Sequence, residues 1–325
     1  MNTMMKAVVL DRFGDESELR ERTIAVPAVG ERDVLIRVDI AGIGSWDRFE
    51  REGDFEGAFG APSTFPYILG WEGAGIVEAV GSDVTRFARG DRVYAASTPV
   101  PRGGFYAEYA VVDEEHVALV PERLTNEQAG VIVWDALTAA SGLDVIDGRP
   151  GDRVMIFGAS GGIGHLAVQL AKQRGLSVLA VASGQDGVDL VRSLGADAAV
   201  DGRQGDVTAA IESFAPGGLD AALVTVGGEA AESALRGLKP SGRIAWPHGV
   251  NPAPTSDLVE RVSFYDGDRS RAALERLNEV IESSPVAAHV AQVFDAEEVV
   301  KAHRTLRSHY VGKLALRAPR SSRPL

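Results

Sequence analysis

Hydrophobic and polar positions follow two different rhythms along this chain. Over the first hundred or so residues, short apolar runs are cut by turn signals such as Gly81-Ser82-Asp83 and Arg89-Gly90-Asp91. Ala7–Leu10, Val34–Asp39, Gly75–Val80 and Arg92–Ala95 read as strands, which predicts a compact, barrel-like β domain. Arg51–Thr64 mixes Gly, Phe and Asp without a period and is expected to be an ordered loop or lid. From about Thr125 the rhythm changes. Strands at Val154–Phe157, Ser177–Ala182, Ala198–Val200, Ala221–Val226 and Arg243–Trp246 alternate with helical stretches at Ile163–Arg174, Val188–Leu194, Val207–Phe214 and Ala230–Leu238. Such alternation predicts a parallel, doubly wound sheet with right-handed crossovers.

The C-terminal stretch breaks the alternation. Arg271–Glu282 reads as a helix, Val286–Phe294 as a strand, Asp295–Leu306 as a helix capped by Asp295 with Glu298 as partner, and Lys313–Arg317 as a last strand. This tail is expected to return to the first domain. The expected organisation is therefore residues 1–124, an inserted domain at 125–268, and 269–325 returning, with Ser321–Leu325 frayed. No internal repeat or low-complexity segment is seen.

One junction in the alternating region carries chemistry. The buried strand Val154–Phe157 runs into Gly158-Ala159-Ser160-Gly161-Gly162-Ile163-Gly164, and Ile163, Leu166, Ala167, Leu170 and Ala171 then recur at helical spacing up to Gly175. Strand, glycine turn and helix in that order are the context a dinucleotide fingerprint requires. The glycines let backbone pass close to a pyrophosphate, whose charge rests on the amides at the helix N-terminus. Gly158, Gly161 and Gly164 are spaced one residue more loosely than the commonest form.

Composition narrows the rest. The 325 residues suit two domains, and 45% hydrophobic with 24% charged residues is ordinary for a globular protein. Against 46 Asp and Glu stand 33 Lys and Arg, a net charge of −13 that disfavours nucleic acid and anionic membranes as partners. The absence of cysteine excludes disulfides and every thiolate metal site. The start, MNTMMKAVVLDRFG, lacks a signal-peptide pattern, and no apolar run approaches the ~18 residues of a membrane helix, so a soluble, cytoplasmic protein is expected.

Several local sequences resemble the medium-chain dehydrogenase/reductase superfamily. Gly70-Trp71-Glu72-Gly73-Ala74-Gly75-Ile76-Val77-Glu78-Ala79-Val80-Gly81 is similar to its first-domain signature, and Gly103-Gly104-Phe105-Tyr106-Ala107-Glu108-Tyr109 to its G-G-x-A-E-Y segment. Leu194-Gly195-Ala196-Asp197, Thr225-Val226-Gly227-Gly228 and Gly312-Lys313 follow in the family's order. The resemblance implies a Rossmann doubly wound domain plus a GroES-like, β-barrel-type catalytic domain. It also implies cofactor contacts from Thr138, Gly158, Ser160, Gly161, Gly162, Ile163 and Gly164, then from Val226, Gly227 and Lys313.

Departures from the family pattern point to one branch. Where zinc alcohol dehydrogenases carry Cys, His and Cys ligands, this chain has Gly44, Trp71 and Trp134, with Trp46 at the place of a proton-relay hydroxyl. A hydrogen and two indoles cannot ligate zinc. The six histidines, His116, His165, His248, His289, His303 and His309, show no H-x-x-x-H spacing. No metal is expected. The chain resembles the zinc-free quinone oxidoreductase-like group, which includes ζ-crystallin and enone and enoyl reductases. Members commonly carry an N-x-x-D segment; here Gly44 replaces the Asn and Asp47 keeps the acid.

Without a metal, the oxyanion that develops during hydride transfer to a carbonyl-conjugated carbon must be stabilised by hydrogen-bond donors or water. The candidates are Asp47, Tyr67, Asp135 and His248, each of which also has a plain structural role as cap, packed ring or surface group. Aromatic residues concentrate around the cleft the resemblance implies, namely Trp46, Phe55, Phe59, Trp71, Phe105 and Trp134. With Gly44 they suit either ordinary core packing or a flat, apolar, conjugated small-molecule substrate. Specificity is expected to lie in Arg51–Thr64 and Asn251–Gly267.

The second strand of the inserted domain ends in Ala182-Ser183 without the acid that reads the ribose in NAD enzymes. A 2′-phosphate is therefore not repelled there, and Ser183, Arg192 and Arg203 are available to it. Gly187 and Gly202 replace the Lys and Tyr that NADPH-dependent relatives often have. The reading is an NADPH-dependent, zinc-free reductase, expected as a homodimer. NADH use, the oxidative direction, and a dinucleotide-binding protein with little turnover stay open.

Overall fold

The computed structural model describes residues 3–57, 62–98, 102–255 and 262–321. Phe59, the centre of the expected lid at 58–61, residues 256–261 and the tail beyond Ser321 lie outside the described residues. Ser321 itself is held, its hydroxyl 2.7 Å from Glu108 Oε1. The chain divides into two units, Met1–Trp134 with Arg269–Leu325, and Asp135–Asp268.

The first unit begins with β1 (Met4–Leu10), β2 (Arg20–Ala25) and β3 (Asp33–Ile43). β3 runs directly into helix α1 (Ser45–Glu52). Then come β4 (Tyr67–Ile68), β5 (Glu72–Val80), β6 (Arg92–Ala96), β7 (Tyr109–Asp113) and β8 (Val117–Leu119). β1 sits between β2 and β4 in a small antiparallel sheet. β3 is the spine of the larger sheet, flanked by β5 and β7.

Helix α2 (Asn126–Val145) starts where the rhythm changes, and the division between units falls within it. Its residues 129–139 are buried without a break, so it shows no amphipathic period for the eye to find. α1 escaped for the opposite reason. Asp47, Glu50 and Arg51 (i, i+3 and i+4) form its buried face, an inversion of the usual pattern. Arg51 and Glu52, expected in a loop, thus belong to a helix.

The second unit holds β9 (Arg153–Phe157), α3 (Gly162–Gln173), β10 (Ser177–Ala182), α4 (Gly184–Ser193), β11 (Ala198–Asp201), α5 (Val207–Phe214), β12 (Leu219–Val224), α6 (Glu229–Leu235), β13 (Leu238–Pro247) and β14 (Val262–Tyr265). All pairings are parallel, in the order β11-β10-β9-β12-β13-β14. The strand order reverses between β9 and β12, the place where open α/β sheets take their ligands. Strand β12 stops at Val224, so Val226, expected within it, is 54% exposed just past its end.

The tail rejoins the first unit. α7 (Arg271–Ser283) is followed by β15 (Val290–Phe294), α8 (Val299–Thr305) and β16 (Lys313–Arg317). β16 pairs antiparallel with Ile40–Ile43 of β3 and parallel with β15. The capping box of Asp295 and Glu298 is present, but it opens a short 3-10 turn at Ala296–Glu298 before α8 rather than one long helix. Among the described residues no helix is long and apolar enough to cross a membrane.

Candidate active site

The second unit contributes a cradle. Gly158 has a left-handed backbone (φ 85°), and a Cβ there would lie 2.3 Å from Thr225 Oγ1. The turn is sewn to its neighbours: Gly158 N and Ala159 N both donate to Val181 O, and Thr225 Oγ1 donates to Phe157 O at 3.0 Å. Gly164 allows the helix to press on the turn, since a Cβ would meet Gly158 O at 2.2 Å. Gly161 is different. Its backbone is ordinary (φ −81°), and an added Cβ would find only Gly158 O, at 3.5 Å. The protein itself has no need for glycine there. A cradle that a side chain would fill fits a ligand passing close to the backbone.

Gly161 also caps α3, and the first helical bond runs from His165 N to Gly161 O. The preceding amides of Gly162, Ile163 and Gly164 are the first-turn donors that an anion can use. At the end of β10, Ser183 N donates to Ser160 Oγ at 3.1 Å. Ser183 Oγ is buried without a hydrogen-bond partner among the described residues. Arg192 reaches back toward Ala199 O at 3.4 Å, and Arg203 is exposed. Asp201 joins them unannounced by any motif: its Oδ1 accepts from Gly184 N at 3.0 Å and Arg203 N at 2.9 Å, placing an acid beside the Ser183 turn. A side chain at Gly187 would come 2.9 Å from Ser160 Oγ, so the Lys of NADPH-using relatives has no room without moving that serine.

Other residues expected near the cofactor or substrate have defined places in this unit. Asp135 and Thr138 are buried on α2. Gly227 is pressed against Pro252, whose carbonyl oxygen would lie 1.8 Å from an added Cβ. His248 is exposed, with its ring edge-on to Phe264 at 5.3 Å and Nδ1 3.8 Å from Asp266.

The first unit contributes a wall of rings over a floor of buried acids. Trp46 stacks on Phe55 at 5.0 Å and lies 5.7 Å from Trp71; Trp71 meets Trp134 edge to face at 4.8 Å. The Arg269 guanidinium sits 4.4 Å above the Trp134 ring. Phe105, expected in this group, instead belongs to the unit's hydrophobic core and packs on Gly73.

Beneath lie Asp47, Glu50, Glu72 and Lys313. Asp47 Oδ2 accepts from Gly44 N at 2.8 Å, closing the start of α1. Its Oδ1 and the neighbouring Tyr106 hydroxyl are both buried and make no hydrogen bond of normal geometry among the described residues. Burial raises the Asp47 carboxyl to about 7, against the pull of the Gly44 amide and Lys313. Glu50 accepts the phenol of Tyr67 on Oε1 and the indole N–H of Trp71 on Oε2 at 2.7 Å. Burial pushes it to about 8, with Asp47 adding to the rise. Tyr67 is itself driven above its ordinary value, by burial and then by Glu50.

Lys313, expected to touch the cofactor, is buried with its ammonium 2.8 Å from Glu72 Oε1. The second oxygen of Glu72 accepts from Trp134 N at 2.8 Å. Gly44 looks onto this floor: an added Cβ would stand 3.9 Å from Asp47 Oδ2 and 4.0 Å from Lys313 Nζ. Among the described residues no group of three or more His, Asp or Glu is arranged to hold a metal ion. Sequence reasoning missed Glu50, Glu72, Tyr106, Thr225 and Asp201. The available signals were the place of Glu72 in the signature, that of Thr225 in its motif, and the helical spacing of Glu50 from Asp47.

A glycine cradle at the switch of a parallel sheet and a largely antiparallel unit bearing rings and carboxyls are the parts of a dinucleotide-dependent oxidoreductase. Residues 162–262 match the family described as zinc-binding dehydrogenase, and residues 30–122 match the alcohol dehydrogenase GroES-like domain. The chain is 30% identical to a quinone oxidoreductase of Sus scrofa over 319 residues, covering 93% of this chain and 94% of that protein. It is 32% identical to an alcohol dehydrogenase of Geobacillus stearothermophilus over 283 residues, 78% of this chain and 82% of the relative. The solved quinone oxidoreductase from Coxiella burnetii superposes with a TM-score of 0.84 at 27% identity, over 98% of this chain and 100% of that one. The chain belongs to the medium-chain dehydrogenase/reductase superfamily, with quinone oxidoreductases among its near relatives.

Proposed function

We propose that this protein is a zinc-independent, NADPH-dependent reductase of an activated C=C bond, as in an enone or enoyl compound, or of a quinone. The observation that carries the reading is the ring wall, in which Trp71 and Trp134 pack at 4.8 Å on the positions where zinc-bearing relatives place ligands. Trp46 and Phe55, half-buried against them, would offer apolar faces to a flat conjugated molecule, and no side chain at Gly44, Trp71 or Trp134 offers a metal a lone pair. When bound, the reduced dinucleotide supplies a hydride.

The chain's own residues do the rest. The amides of Gly162, Ile163 and Gly164 would hold the pyrophosphate, with Thr225 bracing the turn. Ser183 can donate to a 2′-phosphate, and Arg192 and Arg203 supply positive charge; Lys313, committed to Glu72, does not. Asp47 and Glu50, both lifted by burial, hold protons near neutral pH at the floor of the wall. Burial of Trp71 and Trp134 keeps water from that floor. A second reading, preference for NADH, is favoured by Asp201, whose carboxylate adjoins the Ser183 turn.

Steady-state oxidation of NADPH and NADH against quinones, enones and simple alcohols tests this. The expected outcome is turnover with a quinone or enone that survives a chelator, and NADPH binding at least tenfold tighter, about 1.4 kcal/mol. Stoichiometric zinc with chelator-sensitive alcohol oxidation overturns the metal-free reading. Equal affinities favour the role of Asp201, and tight binding without turnover makes the protein a cofactor carrier. The reading also takes the protein to be a cytoplasmic homodimer, which light scattering and cell fractionation check.

A further inference from the structure

Glu50 has no role in the chemistry set out so far beyond holding a proton, yet its position is unusual. Helix α1 grips Trp71 at two points one turn apart. The ring of Trp46 lies 5.7 Å from the indole, and four residues on, Glu50 Oε2 takes the indole N–H at 2.7 Å. Phe55 and Trp134 close two further sides of the same indole, at 6.0 and 4.8 Å. The remaining oxygen of Glu50 binds the Tyr67 phenol. A carboxyl buried this deeply costs more than an amide or an apolar side chain of similar size, because it loses hydration whenever it ionises. Two donors converging on it, from two different segments, offset that cost.

We infer that Glu50 is a positioning residue of the substrate wall, fixing the plane of Trp71 from behind and so setting the preference for flat, apolar substrates. This rests on the reading of the ring wall as the substrate's seat. The carboxyl can keep Trp71 in either protonation state. Ionised, both oxygens accept; protonated, one oxygen donates to Tyr67 while the other still takes the indole N–H. The titratable groups facing Glu50 among the described residues are Asp47 on its own helix, Tyr67 on β4 and Tyr106 ahead of β7. Its protonation therefore changes the charge beside the Trp71 ring without releasing the ring, and the Trp71-dependent part of the emission, taken as the difference between the unmodified protein and Trp71→Phe, is expected to change as Glu50 titrates.

The test joins that emission to a double-mutant cycle of Glu50→Gln, Glu50→Leu and Trp71→Phe, with 1,4-benzoquinone as the substrate probe. Glu50→Gln is expected to keep KM within about threefold while abolishing the Trp71-dependent emission change. Glu50→Leu, which strands the indole N–H, is expected to raise KM about tenfold, and to have no further effect on KM in the Trp71→Phe background. A Trp71-dependent emission change that is the same in Glu50→Gln as in the unmodified protein, or Glu50→Leu and Trp71→Phe effects on KM that simply add, overturns the inference. Should Glu50→Leu not fold, Glu50→Met takes its place in the cycle, and an unchanged KM in that variant overturns the inference. An unchanged KM in Trp71→Phe counts against the ring wall as the substrate's seat, and the emission result then judges the coupling of Glu50 to Trp71 separately.

Discussion

Three glycines within seven residues of the cradle are glycine for three separate reasons, and only one of them concerns a ligand. Gly158 is required by its backbone, Gly164 by the helix pressing on the turn, and Gly161 by nothing in the protein itself. Gly161→Val should therefore cost the fold only the N-cap preference of Gly over Val, about 1 kcal/mol, and weaken dinucleotide binding at least tenfold, about 1.4 kcal/mol, in a fluorescence titration. Gly164→Ala should do the reverse first. With a Cβ 2.2 Å from Gly158 O, it should destabilise the fold by about 1–3 kcal/mol in denaturant unfolding. The spacing of these glycines was legible because missing side chains are a property of the residue itself. Glu50 was not, since its meaning lies in Trp71, 21 residues away, and Tyr67, 17 away, which only the fold brings together. Asp201 was hidden in the same way, as an acid on β11 that serves the turn after β10.

Elements whose buried face is apolar could be read from pattern, and β10, α5 and β16 fall where the rhythm puts them. α1 could not, because the face it turns inward carries Asp47, Glu50 and Arg51. That inversion has a measurable consequence. With Asp47 raised to about 7 and Glu50 to about 8, the folded chain binds more protons than the unfolded one from the ordinary carboxyl range upward. Stability from these two groups is thus greatest in acid and is lost as pH rises from about 4 toward 8. Each group contributes a slope of at most about 1.4 kcal/mol per pH unit in that window. Glu50→Gln should remove one share, flattening the fall in unfolding free energy between pH 6 and 8 when denaturant midpoints are compared. An equally steep fall in the variant would mean that Glu50 titrates normally.

At the scale of the molecule, the second unit is continuous in sequence whereas the first is assembled from two distant pieces. Their joint includes the pair of Lys313 on β16 and Glu72 on β5, both nearly inaccessible and 2.8 Å apart. Removing one partner of a buried pair leaves an uncompensated charge. Lys313→Met should cost about 3–5 kcal/mol in urea unfolding, and adding Glu72→Gln should recover part of it. If Lys313→Met proves nearly neutral, the pair does not hold the two pieces together.

The pairing of β16 with Ile40–Ile43 sets a timetable for biosynthesis. That stretch of β3 leads straight into Gly44 and α1, but its partner leaves the ribosome only after the whole second unit has been made. Asp135–Asp268 can close its own sheet while the nascent chain is still growing, because all its strands are already out. The segment carrying Asp47 and Glu50 must wait with an uncovered strand beside it, dependent on contacts far away along the chain. The dinucleotide cradle can therefore close before the acid floor, and a chaperone that guards exposed strands would find its client in residues 40–43, not in the nucleotide fold.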